Sequence, residues 1–319
     1  MSALEELFPD EEGVSISDYL STSDLSHYEK AKSLWAEIPV EERHSFFQNQ
    51  LKSLRSKQDF SGIMDIHPAW LLRPLEKESP RVIGLILRHL PSKHVRYLLE
   101  HLPKRVTMRL PKLVESFYVP SEILALVWRR FERHFHPMPL ARSFAQYDFD
   151  HIHYLKSEEI DHLLRDLGMS ELALSLVGTT KKIAHVLLNR FSIKDAKTLV
   201  SRIKEYQNQD RTFCRESRYT VLELDGEEHG VEAFLKELGA AAFSKAFQTE
   251  QMNLFRAVSQ KMSPSESYLL KRYIDSHLPA ALGAFVERRQ SWVMDHIIRL
   301  SEEGSLDPQW AELRARDAA

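Results

Sequence analysis

Apolar residues recur at spacings of three and four along most of this chain, a periodicity that predicts helix nearly throughout. Comparing the chain with itself sharpens the pattern. Val82–Leu102, Ile183–Ile203 and Leu254–Ile274 align without gaps at offsets of 101 and 71, and share apolar residues at window positions 1, 2, 4, 5, 9, 14, 17 and 21. Ser267 is the sole break. Within each half of a window the shared positions fall on one helical stripe, and the tenth position (Pro91, Ser192 or Ser263) interrupts one helix and opens the next. Each window therefore predicts a helical hairpin. Ser192 is followed by Asp195, and Ser263 by Pro264 and Glu266, so two of the hairpins carry a start resembling a capping box. Leu167-Gly168 and Leu238-Gly239 repeat at the same offset of 71 and extend the match upstream.

Breaks in the pattern suggest boundaries. His136-Pro137-Met138-Pro139 disfavours helix at the residue before each proline. The polar runs 205–211 and 215–218 precede Tyr219–Leu224, whose β-branched and aromatic content predicts a short extended linker. After Gly304 and Asp307-Pro308 only a short terminal helix is expected.

The chain has 319 residues and 43% hydrophobic content, enough for roughly two or three domains with their own cores. Its longest unbroken apolar run is Ile123–Trp128, far below the ~18–20 residues of a membrane span, so transmembrane insertion is not expected. Met1–Glu29 carries eight acidic residues and no Lys or Arg, the reverse of a secretory signal, and a lone Cys214 fits a reducing compartment. Both predict a cytoplasmic protein. Net charge is 43 − 46 = −3, which gives no argument for nucleic acid. Its distribution is uneven, however. Arg88–Gln146 holds eleven Lys/Arg against four Glu, either a solvated helical surface or a docking face for an acidic partner, including the chain's own amino terminus.

No motif identifies an enzyme or a cofactor site: Gly-rich phosphate loops and the His-Glu-x-x-His spacing are lacking. The best metal candidates are Asp148, Asp150, His151 and His153, with His134 and His136 nearby, because imidazole and carboxylate can converge on zinc. His151 and His153 face one way only on a strand, and a helix disperses them. Cys214 reads as a passive thiol. The adjacent carboxylates Glu158/Glu159 and Glu227/Glu228 point about 100° apart on a helix and read as charged surface.

Lys77-Glu-Ser-Pro-Arg-Val-Ile-Gly-Leu-Ile-Leu-Arg-His-Leu-Pro91 resembles the middle-domain signature of the flagellar motor switch protein family, FliG, in which Glu-His-Pro-Gln opens an apolar helix. Glu78 and Pro80 match that signature, while Ser79 stands for His and Arg81 for Gln. Leu163-Leu-Arg-Asp-Leu and Ser170-Glu-Leu-Ala-Leu-Ser-Leu-Val-Gly resemble the family's carboxy-terminal patterns. Met262-Ser263 and the closing Arg299-Leu-Ser-Glu-Glu-Gly resemble its Met-Ser turn and its ending, so similarity in order runs from about Ile66 to Gly304.

The resemblance implies an all-α fold of armadillo-like helical repeats forming a curved multi-domain superhelix. It divides the chain into an acidic amino-terminal helical region at 1–60, a middle-domain-like repeat at 61–140, a second repeat at 141–211, a carboxy-terminal helical domain at 219–304 and a tail at 305–319. It further implies contact with a FliM-like switch protein through Glu78, Ser79, Pro80 and Arg81, and stator-facing (MotA-like) charges at Glu227, Glu228 and Lys236. The family's amino-terminal region clasps the ring protein FliF, but Met1–Glu29 and Tyr28–Lys57 show no clear version of that module. Self-association in a ring, and a location peripheral to the inner membrane at the flagellar basal body, complete the expectation. The alternatives are an adaptor of a flagellar or type III secretion-related assembly without torque function and, from another class, a helical metal-dependent enzyme.

Overall fold

The computed structural model describes residues 61–110, 119, 121–137, 148–224, 230–277 and 283–312. Among these residues every regular element is helical and no strand occurs, which establishes the all-α class. No helix among them is long and apolar enough to cross a membrane. The helices are α1 (Ser61–Met64), α2 (Pro68–Glu76), α3 (Pro80–His89), α4 (Ser92–His101), α5 (Lys104–Thr107), α6 (Ser121–Glu132), α7 (Ser157–Leu176) and α8 (Lys181–Leu188). They continue as α9 (Ile193–Glu205), α10 (Arg211–Glu223), α11 (Gly230–Ser244), α12 (Met252–Ser259), α13 (Pro264–His277) and α14 (Gly283–Glu302).

These residues form two compact units, one of Leu71–His134 and one of Ser61–Trp70 with the chain from Phe135 onward. In the first, Ser79 caps α3 by accepting the Val82 amide at 3.4 Å, and Pro80 occupies the first turn, where its missing N–H costs nothing. Ile83, Ile86 and Leu90 from α3 and Leu98 and Leu102 from the α4 stripe are buried, as are Trp128 and Phe131 of α6. His89 and Phe131 meet the Trp128 indole edge-on, with centroids 6.2 and 6.3 Å away.

The second unit contains a duplicated four-helix module, α7–α10 followed by α11–α14. Lys181–Leu188 and Met252–Ser259 begin and end 71 residues apart, and α9 and α13 also begin 71 apart. The α3–α4 hairpin keeps the offset of 101, with Pro80 and Ser92 against Lys181 and Ile193. All three aligned windows are therefore helix–turn–helix hairpins whose helices start in register. The caps are made as their sequences suggest: Ser192 accepts the Asp195 amide at 3.1 Å, and Ser263 accepts the Glu266 amide at 3.3 Å while Glu266 accepts the Ser263 amide at 3.1 Å.

The two modules cross at α7 and α11. A Cβ on Gly168 would lie 2.8 Å from the Leu235 carbonyl carbon and nearer still to its oxygen; a Cβ on Gly239 would lie 2.6 Å from the Leu164 carbonyl carbon. Leu164 and Leu235 are themselves 71 residues apart, so each glycine seats the other module's equivalent carbonyl. Only a residue without a Cβ permits this backbone approach. The ion pairs beside the crossing obey the same relation. Arg165 binds Glu232 of the other module and Asp195 of its own, each at 2.9 Å. Lys236, its equivalent, binds Asp161 of the other module at 3.2 Å and Glu266 of its own at 3.9 Å. Four residues and their counterparts 71 positions on thus exchange partners reciprocally, the signature of a pseudo-two-fold axis through the crossing.

Two sequence readings change here. Tyr219–Leu224 is not an extended linker: α10 runs through Glu223, capped by Asp210, which accepts the Thr212 amide at 2.9 Å. Its buried face of Phe213, Ser217 and Thr220 outweighs the β-branched content of the segment. Ser267, the break in the apolar stripe, is fully buried, and its hydroxyl has no hydrogen-bond partner among the described residues. Ser267→Ala is therefore expected to be neutral or to stabilise by about 1 kcal/mol, since an unmet buried donor is removed. Urea unfolding checks this, and a loss of stability would show that the hydroxyl is bonded.

Candidate functional site

The residues singled out by their resemblance to switch-protein motifs have different surroundings. Glu78 is half-buried at 3.6 Å from Arg130; burial raises its carboxyl above the usual range, against the pull of that guanidinium. Ser79 is occupied as the cap of α3, Pro80 fills the first turn, and Arg81 is exposed. Glu227 and Glu228 lie outside the described residues. Lys236 is half-buried, and its two ion pairs at the module crossing tie it to Asp161 and Glu266.

The metal candidates do not converge. Phe149–Tyr154 is a short 3-10 helix in which His153 Nδ1 lies 2.5 Å from the Asp150 carbonyl, while Asp150 accepts from the Gln251 amide at 2.8 Å. Among the described residues no group of three His, Cys, Asp or Glu side chains could hold a metal ion. Cys214 is buried and free, and burial pushes its thiol pKa up, away from the reactive range.

Two buried charge clusters had no local sequence signal. In the first, Asp166 binds Arg202 and Arg299 and lies 2.6 Å from His296 Nδ1; Arg202 also donates to Ser170 at 2.8 Å. The equivalent position in the second module keeps the contact with other chemistry, Tyr273 donating to Glu237 at 2.8 Å. In the second cluster Glu171, wholly buried, accepts from Arg289 at 2.9 Å and Lys245 at 3.0 Å, and Glu216 pairs with the same two cations at 2.9 and 2.8 Å. The Arg289 guanidinium also lies 3.9 Å from the Phe213 ring centroid. Arg289, Lys245 and Glu171 have their charges matched inside the core, an arrangement that fixes helices rather than one that awaits a substrate.

Burial lowers the His296 pKa to about 4, against the hydrogen bond and charge of Asp166. Burial alone would raise Glu171, but the charges and hydrogen bonds of Arg289 and Lys245 outweigh it and hold the carboxyl at about 2. Unfolding lets His296 take up a proton below its ordinary 6.5 and Glu171 below 4.5, so the unfolded state binds more protons and stability falls as pH drops. The His296 contribution alone amounts to about 2 kcal/mol lost between pH 6.5 and 5. Urea midpoints at the two pH values check this, and His296→Gln is expected to flatten the difference.

The exposed surface also differs between the modules. Val186 is 63% exposed whereas its counterpart Ala257 is buried, and Leu222 is 80% exposed whereas Val293 is fully buried. Ile193 is likewise 78% exposed. In comparisons with family models, curated proteins and solved structures, nothing matches the chain.

Proposed function

We propose that the chain is a divergent FliG-like rotor or switch component, an armadillo-like array of hairpins that works by contact with other proteins at the cytoplasmic side of a flagellar basal body. The reading is supported most by the three hairpins whose helices start in register at offsets of 101 and 71, with Ile183 and Val186 of the second stripe exposed. Stacked hairpins present extended surfaces, and such surfaces suit protein partners better than small substrates. FliM-like contact through Glu78–Arg81, FliF-like and MotA-like partners, and assembly in a ring belong to this proposal.

One observation favours the adaptor reading over torque transmission: Lys236 is engaged by Asp161 and Glu266, which leaves it less suited to a sliding contact with a stator. Co-purification from the native cell with identification of the captured proteins tests the proposal. Recovery of FliF-, FliM- or MotA-like proteins is expected, and recovery of an unrelated assembly alone would contradict it. Glu227→Lys with Glu228→Lys separates the two forms, since impaired swimming with unchanged folding is expected for a torque-bearing part and unchanged swimming for an adaptor.

A further inference from the structure

The duplicated modules allow a position-by-position comparison of how each hairpin is covered. In the second module the 3-10 segment Phe149–Tyr154 lies against α12 and α14, and Phe149, Ile152 and Leu155 enter the core beside Phe255 and Val293. Side chains three apart form one row on such a helix. The hairpin turn holds the main chain of this cover: Lys261 is buried and donates to the carbonyls of His153 and Leu155 at 2.6 and 2.7 Å. The neighbouring Gln260 side chain accepts the His136 amide at 2.7 Å and donates to the His136 carbonyl at 3.2 Å. A covered hairpin thus combines an apolar row on two helices with turn side chains bonded to the main chain that lies over it.

The first module has the same parts in the same places. Its α10 is seated as α14 is: Arg218 donates to the Ser175 carbonyl at 2.9 Å, and Gln290 donates at 2.9 Å to that of Ala246, 71 positions on. Asn189 and Arg190 stand where Gln260 and Lys261 do, amide for amide and cation for cation, yet both are exposed. Val186 and Leu222 are open where Ala257 and Val293 are closed. Five of the eight residues of α8 are apolar, but none of its described side chains is buried, whereas α12 buries Phe255, Ala257 and Val258. The reason lies in the chain itself. Counted forward by 71, Phe149–Leu155 falls on positions 220–226, and Thr220–Glu223 are spent as the last turn of α10.

Charge selects what fits there. Lys182, Arg190, Lys194 and Lys197 are exposed, and residues 177–224 carry ten Lys/Arg against five Asp/Glu. A second copy of the same surface would set these cations against one another, whereas an acidic segment matches them. The cover of the second module already has that character, with Asp148 and Asp150 on either side of Phe149.

We propose that α8, α10 and the turn between α8 and α9 form a docking site for an acidic peptide segment of a partner protein, one that carries apolar residues three apart and offers main-chain carbonyls to Arg190. The mode is the one the chain uses on itself in the second module. It rests on the duplication and on charge, not on the partner being flagellar, and its test needs no flagellar protein.

The probe is a fluorescently labelled peptide, Asp-Phe-Asp-His-Ile-His-Tyr-Leu, which copies residues 148–155 and is titrated into the full chain at neutral pH. Anisotropy is expected to show saturable binding that Val186→Asp and Arg190→Glu each weaken at least about fivefold, as does replacing both peptide aspartates by lysine. Both variants change exposed side chains, so their thermal unfolding should match that of the parent chain. Asn253→Asp adds the same charge as Val186→Asp at an exposed position on the corresponding helix of the second module, and should leave binding unchanged. Three results would each overturn the proposal: no saturable binding, binding insensitive to Val186→Asp and Arg190→Glu, as exchange into the second module would give, or a peptide-free dimer that Val186→Asp dissociates.

Discussion

Gly168→Ala and Gly239→Ala are each expected to destabilise the second unit by about 3 kcal/mol or more and to lower its Tm by roughly 10 °C. In an exposed helix the same change would stabilise by about 0.5–1 kcal/mol, because alanine is the better helix former. The sign reverses here because the new methyl meets a main-chain carbonyl of the facing helix, Leu235 or Leu164, which cannot rotate away. Relief requires α7 and α11 to separate, which breaks their close contact and strains the Arg165–Glu232 and Lys236–Asp161 pairs beside it. The pseudo-two-fold relation adds a quantitative condition: the two substitutions should cost similar amounts and, being neighbours, should combine less than additively. Gly283→Ala is the control, since a Cβ there meets nothing within 4 Å. Thermal and urea unfolding of the three variants measure the effect.

Glu171→Gln is expected to cost about 3–5 kcal/mol, a second large effect with a different origin. The substitution nearly keeps the side-chain volume but removes the charge that faces Arg289 and Lys245, leaving two buried cations with Glu216 alone. Cations buried together repel in a medium where water cannot screen them. Arg289→Met in the same chain removes one cation, keeps much of the packing against Phe213, and should recover part of the loss. A double-mutant cycle by urea unfolding reads the coupling, with an expected interaction of 1 kcal/mol or more in magnitude, on the order of buried coupled groups.

Local features of this fold were legible and cross-chain ones were not. The hairpins follow from stripes and caps within twenty-one residues: Ser192 with Asp195 and Ser263 with Glu266 announce helix starts because the bonds they make span three positions. Gly168 and Gly239 were visible as a repeated pair, yet their role depends on a carbonyl 67 or 75 residues away, which no local pattern encodes. Lys236 illustrates the same limit. On its helix it reads as an exposed cation, and only the crossing of α7 and α11 brings Asp161 to it. The charges of the inner clusters gave no warning either, since Lys245, Arg289 and Glu171 are 44 to 118 positions apart and their burial becomes tolerable only once they meet. Tyr219–Leu224 misled for the opposite reason: its β-branched letters are a weak preference, and the buried face of α10 decides. Of the residues tied to function by resemblance, Ser79 and Pro80 have a helix-starting role in full view, whereas the service of Glu227 and Glu228 awaits the motility test above.

Native-state amide hydrogen exchange across α7 and α11 tests the central claim, that two equivalent four-helix modules interlock at the glycine crossing. If they do, the slowest amides of Ser157–Leu176 and Gly230–Ser244 open with the same free energy as global unfolding of the unit, and fall together in Gly168→Ala. Opening of α11 at a clearly lower free energy than α7, with α7 unaffected by the substitution, would contradict it.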